Sequence, residues 1–94
     1  MWYVYILKSI HNKTFYIGFT ANPAKRIAEH NAGQSFHTKK YLPWKTVYLE
    51  GYANYNDARD RERKLKQYGK VYAQLKRRIN RSISGAVSAP KVRG

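Results

Sequence analysis

Apolar and polar positions alternate in two short runs near the start of the chain, WYVYILK (2–8) and TFYIGFT (14–20), with the polar stretch SIHNK between them. Runs rich in aromatic and β-branched residues with a period of two, joined by turn-forming residues, predict a β-hairpin. The alternation places Trp2, Val4 and Ile6 on one face and Tyr3, Tyr5 and Leu7 on the other; in the second run Phe15, Ile17 and Phe19 oppose Tyr16, Gly18 and Thr20. Tyr5 and Tyr16 can therefore share a face. Asn22 followed by Pro23 predicts a helix start, with the helix running to about Asn31 and ended by Gly33. Residues 32–43 read as a polar loop closed by Pro43, and Trp44 to Tyr52 as a third strand. Asn56 is expected to cap a second helix that Gly69 stops, and a third follows from Val71 to about Arg81 with Val71, Leu75 and Ile79 as its apolar stripe.

The second helix carries an anomaly. Tyr55, Ala58, Glu62 and Leu65 fall at i, i+3, i+7 and i+10, which lines one side of a helix, so Glu62 points where Leu or Ala belongs. A charge in that position is unfavourable unless it is paired or bound to a metal. A neighbouring Arg is the structural partner; a cation is the functional one.

Composition narrows the setting. Ninety-four residues allow one domain with a modest core, burying about 65% of the unfolded surface. We expect residues 1–81 to form that domain and 82–94, rich in Ser, Gly, Ala, Pro and basic residues, to be a flexible basic tail. Nineteen Lys and Arg against five Asp and Glu give a net charge of +14, the footprint of a polyanion partner, and an aromatic fraction of 15% argues for a folded domain. Nucleic acid leads; a membrane does not, because no run approaches the roughly 18 apolar residues of a spanning helix. MWYVYILKSI has no basic leader or cleavage site and is expected as a buried strand, not a signal peptide. The absence of cysteine excludes a disulfide framework and Cys-ligated zinc, and fits the cytoplasm.

Two tyrosines on paired strands, Arg26 and His30 one helical turn apart, and the inward Glu62 can build a phosphodiesterase site around a single metal. A hard cation such as Mg²⁺ or Mn²⁺ takes oxygen ligands and keeps waters, so one carboxylate suffices. Five acids in all argue against a two-metal site. Arg26 can stabilise charge on the scissile phosphate. A phenol with a pKa near 10 is a poor base at neutral pH, so Tyr5 or Tyr16 needs a nearby cation or metal-bound water, or His30 relays the proton.

The order YVY (3–5), YIG (16–18), NPAKRIAEHN (22–31) and ARDRERKLK (58–66) resembles that of the GIY-YIG nucleases. It is nearest to small stand-alone members similar to the nuclease domain of the bacterial excision repair incision subunit. The likeness covers roughly residues 2–70, including Thr20, Thr38 and Pro43, and departs from the family at Tyr3, where a Gly is usual. It implies an α+β fold, a small three-stranded mixed sheet flanked by helices. It also implies that Tyr5, Tyr16, Arg26, His30 and Glu62 are the catalytic residues, with Glu62 the ligand of Mg²⁺ or Mn²⁺.

Arg59 to Arg81 holds ten Lys and Arg against Asp60 and Glu62, a block of one sign that repels itself unless a polyanion is present. Arg59, Arg63, Lys66, Lys70 and Arg77 are the expected nucleic-acid contacts. The function expected is therefore a metal-dependent DNA endonuclease serving repair or recombination, with a protein partner to supply specificity. The alternative is a non-catalytic basic DNA- or RNA-binding module with a degenerate nuclease site.

Overall fold

The computed structural model describes residues 1–85. Three strands, β1 (Trp2–Ser9), β2 (Phe15–Thr20) and β3 (Trp44–Tyr52), form a sheet of order β2-β1-β3. Both pairings are antiparallel, with Tyr5 opposite Gly18 and Leu7 opposite Tyr16 in one, and Tyr5 opposite Leu49 in the other. The expected α+β class with three strands and flanking helices holds, but the sheet is antiparallel throughout instead of mixed. The reason is that β2 and β3 never meet: they run in the same direction on opposite sides of β1, joined by α1 (Pro23–Asn31) and a short 3₁₀ turn at Lys39–Tyr41.

The period of two sorts the side chains as the sequence predicts. On one face Val4, Ile6 and Ile17 are buried with Val47, Ala58, Leu65 and Leu75, and Trp2, Phe15 and Phe19 pack against them. On the other, Tyr5, Leu7 and Trp44 are buried, with Tyr16, Ile27, Tyr41 and Leu42 around them. Each fully buried aliphatic side chain contributes about 1.5–3 kcal/mol, so a two-sided core is how so short a chain holds its sheet.

Helix α1 starts as expected: the Asn22 side chain accepts from the Lys25 amide and Pro23 occupies the first turn. Gly33, at φ 76°, takes the left-handed conformation that ends it, its amide bonded to the His30 carbonyl. Helix α2 (Tyr55–Gln67) corrects two expectations. Its cap is Asn54, whose side chain accepts from the Asn56 amide, because Tyr55 is already helical and docks edge-on against Trp2. It ends at Tyr68 in extended conformation, so Gly69 does not stop it but begins α3 (Gly69–Arg78). A one-turn α4 (Asn80–Ser84) follows, ended by left-handed Gly85. Residues 82–84 of the expected tail are thus helical, and the part from residue 86 onward lies outside the described residues. No helix among the described residues is long and apolar enough to cross a membrane.

Candidate active site

Backbone register brings the two tyrosines together. Tyr5 on β1 and Tyr16 on β2 project from the same face, ring centroids 6.2 Å apart, because the Tyr5 ring crosses over Gly18. A Cβ at position 18 would lie 2.6 Å from Tyr5 Cζ and closer still to its hydroxyl. A glycine inside a strand marks either a bulge or a close approach to the backbone, and at Gly18 it is the second.

Above this pair stands the last turn of α1. His30 Nε2 is 3.1 Å from the Tyr5 hydroxyl and His30 Nδ1 is 2.8 Å from Thr38 Oγ1. The Thr38 carbonyl accepts from Trp44 Nε1 at 2.9 Å, and the Asn31 side chain clasps the Trp44 backbone at both its amide and its carbonyl. The loop after α1 is therefore tied to β3 through the imidazole's own support. Tyr5, His30 and Thr38 are 1%, 0% and 1% exposed, whereas Tyr16 is half-buried. Tyr5 and His30, both expected to act on the substrate, are sealed behind Tyr16, which alone of the three rings presents surface.

The field at the site follows from this layering. Burial pushes the Tyr5 hydroxyl up to about 12, with the neighbouring Tyr16 adding to the rise and Arg26 opposing it. Tyr5 thus stays a neutral phenol near pH 7. Burial also lowers the His30 pKa, reinforced by the Arg26 charge and opposed by Glu29, so the imidazole is neutral. Arg26 bonds Glu29 at 3.2 Å; burial works against its charge, but Glu29, Tyr5 and Tyr16 outweigh that and raise its pKa.

A pH dependence follows with a defined sign. Because the folded His30 pKa lies below its ordinary 6.5, the unfolded chain binds more protons in that range, and stability falls as pH drops below about 6.5. The melting temperature is expected to be lower at about pH 5.5 than at about pH 7.5, with a weaker slope in His30→Gln. Equal slopes in the two proteins would refute this account.

Glu62 lies on the same side of α2 as buried Ala58 and Leu65, as its spacing predicts, with its side chain 18% exposed. Its partner is Lys66, one turn on at 3.4 Å, and not an arginine. Lys66 also stands 5.9 Å from the centre of the Tyr16 ring, and Glu62 acts electrostatically on Tyr5, so α2 delivers this carboxylate to the β2 edge beside the tyrosines. Among the described residues no three His, Cys, Asp or Glu side chains cluster as a metal cage. One carboxylate with hydroxyls nearby is an all-oxygen donor set, which fits a hard cation that keeps its waters.

Arg59, Arg63, Lys66, Lys70 and Arg77 are all exposed; Arg63 pairs with Asp60 at 3.5 Å. The sequence reading did not single out the cluster that holds α2 in place. Glu50 on β3 accepts from Tyr48, from Tyr52 at 2.7 Å and from Arg61 Nε at 2.7 Å. Burial alone would raise the Glu50 pKa, but these three donors bring it below its usual value. Its signal was present: Tyr48, Glu50 and Tyr52 share a face by alternation, one carboxylate between two phenols. Arg61 is next to Glu62, so this bond fixes the rotation of the helix turn that presents the carboxylate.

Comparison with known proteins gives a consistent result. A family model described as the GIY-YIG catalytic domain matches residues 1–80. A UPF0213 protein of Streptococcus pneumoniae serotype 4 is 35% identical over 66 residues, covering 69% of this chain and 66% of its own. A UPF0213 protein of Staphylococcus haemolyticus is 39% identical over 69 residues, 72% of this chain and 83% of that one. The structure-specific endonuclease subunit SLX1 of Debaryomyces hansenii is 42% identical over 53 residues, 49% of this chain but 15% of its own length. The chain thus spans just under two thirds of the pneumococcal relative and a small part of the yeast one.

Proposed function

Because this chain belongs to the GIY-YIG family, we propose that it is a divalent-metal-dependent endonuclease that hydrolyses phosphodiester bonds of DNA at the β2 edge. The observation that carries the reading is the convergence of Tyr16, Arg26 and Glu62, from β2, α1 and α2, around the buried Tyr5–His30 pair.

Each group takes a role suited to its surroundings. Arg26, held protonated and partly exposed, binds the scissile phosphate and stabilises the charge that develops on it. Tyr16, the phenol with exposed surface, orients the attacking water. Tyr5 and His30 are positioning residues: sealed and neutral, they fix the Tyr16 face by hydrogen bonding to each other and to Thr38. Glu62 holds Mg²⁺ or Mn²⁺ together with water, and the cation, when bound, supplies Lewis-acid neutralisation of the phosphate oxygens. Arg59, Arg63, Lys66, Lys70 and Arg77 grip the backbone on either side.

The name "structure-specific endonuclease subunit" borne by SLX1 supports a substrate recognised by its structure and a protein partner. We place the activity in DNA repair or recombination, in the cytoplasm. Arg26→Ala tests the core of the proposal: cleavage is expected to fall about 100-fold, chiefly in kcat, with DNA affinity changed by less than about tenfold. Undiminished cleavage would remove Arg26 from the mechanism.

A further inference from the structure

Beside Tyr16 a cavity of about 480 Å³ opens between β2, α2 and α3, lined by Phe15, Tyr16, Ile17, Leu65, Lys66 and Tyr72. The volume lies within the range of small-ligand sites. Phe15 and Tyr72 meet edge to face, ring centroids 6.3 Å apart at 89°. The Lys76 ammonium stands 4.5 Å from the Tyr72 ring centre and 5.7 Å from that of Phe15, and Lys66 stands 5.9 Å from that of Tyr16. Two cations thus flank a pocket with aromatic walls. The Tyr72 hydroxyl is buried out of solvent reach and, among the described residues, has no hydrogen-bond partner, so what Tyr72 offers the pocket is its ring.

Of the lining residues, the proposed chemistry uses Tyr16, and Lys66 as a backbone contact; Phe15, Ile17, Leu65 and Tyr72 have no part in it. We propose that the pocket receives an unpaired nucleobase of DNA next to the scissile phosphate, with the rings of Phe15, Tyr16 and Tyr72 as its walls and Lys66 and Lys76 pairing with the flanking phosphates. Aromatic walls stack on any base, which makes such a pocket tolerant of sequence, and the chain's net charge of +14 matches the polyanion. A base held in an intact duplex cannot enter, so the pocket selects forked or frayed DNA. The identity of the polyanion rests on the nuclease reading; the pocket's geometry does not.

The test is a binding cycle in EDTA, where no cleavage enters. Three DNAs are compared: a fork with 2-aminopurine at the unpaired position beside the junction, the same fork abasic at that position, and the paired duplex. Wild type is expected to quench the 2-aminopurine and to bind the intact fork about 10-fold more tightly than the abasic one. Tyr72→Leu, which keeps an apolar side chain and removes the ring, is expected to weaken binding of the intact fork about fivefold and to leave the abasic fork and duplex unchanged. Equal wild-type affinity for the two forks, or equal weakening of both by Tyr72→Leu, would overturn the proposal. A separate Mg²⁺ assay without cleavage would refute the enzymatic reading and leave the outcome of the cycle standing.

Discussion

Glu62→Gln is expected to reduce Mg²⁺-supported nicking on the order of 1,000-fold while the protein stays folded and still binds DNA. Glutamine keeps the side-chain shape and its place beside Ala58 and Leu65, so packing is not disturbed. What it removes is the charge, and a neutral amide is a far weaker ligand for a hard cation. Losing several kcal/mol of charge stabilisation at the phosphate corresponds to about three powers of ten in rate. The structural loss is small by comparison. The Lys66 ion pair is an i, i+4 contact with a half-exposed lysine, a type that contributes about 0.3–0.5 kcal/mol. DNA affinity holds or tightens slightly, since a negative charge beside the phosphates has gone. Melting temperature, affinity and nicking rate measured on one preparation decide the matter. Unchanged nicking with a clearly lowered melting point would make Glu62 a structural ion-pair partner and sink the metal-ligand role.

Gly18→Ala should destabilise the fold by about 3 kcal/mol and depress cleavage with it. The new methyl group would overlap the Tyr5 ring, 2.6 Å from Cζ, and that ring has nowhere to go. Tyr5 is buried, flanked by Tyr16 and His30, with its hydroxyl bonded to the imidazole. Overpacking of a filled interior commonly costs 1–3 kcal/mol, and displacing Tyr5 also breaks a buried hydrogen bond worth about 1 kcal/mol net. Position 18 itself needs no unusual backbone angle, so the effect comes from space alone. Urea denaturation gives the measurement: a midpoint indistinguishable from wild type would show that the Tyr5 ring is free to shift, and the sealed Tyr5–His30 layer would lose its support.

The two variants differ in what they disturb. Glu62→Gln removes charge from a surface-reaching position and leaves the scaffold alone, while Gly18→Ala moves the scaffold and leaves every charged group in place. Loss of cleavage in the first without loss of stability, and in the second only together with it, is the pattern the layered site requires.

Much of this protein was written in local signals. The period of two in 2–8 and 14–20 determined which residues face each half of the core, because alternate side chains of a strand leave opposite faces whatever lies around them. Asn22, Pro23 and Gly33 determined the ends of α1, since capping bonds and a left-handed glycine act within a single turn. The spacing of Ala58, Glu62 and Leu65 determined that the carboxylate turns inward. Tertiary structure decided what depends on chain segments far apart. Asn54 and Asn56 are equally good caps, and only the docking of Tyr55 on Trp2 chose between them. Gly69 looked like a stop, yet nothing local said that α3 would begin there. The antiparallel pairing of β3 with β1 placed Glu50 against Arg61, and the loop carrying Thr38 closed over His30. Burial of Tyr5 and His30 behind Tyr16 follows from that closure: exposure is set by which distant surfaces meet, and no pattern of adjacent residues encodes it.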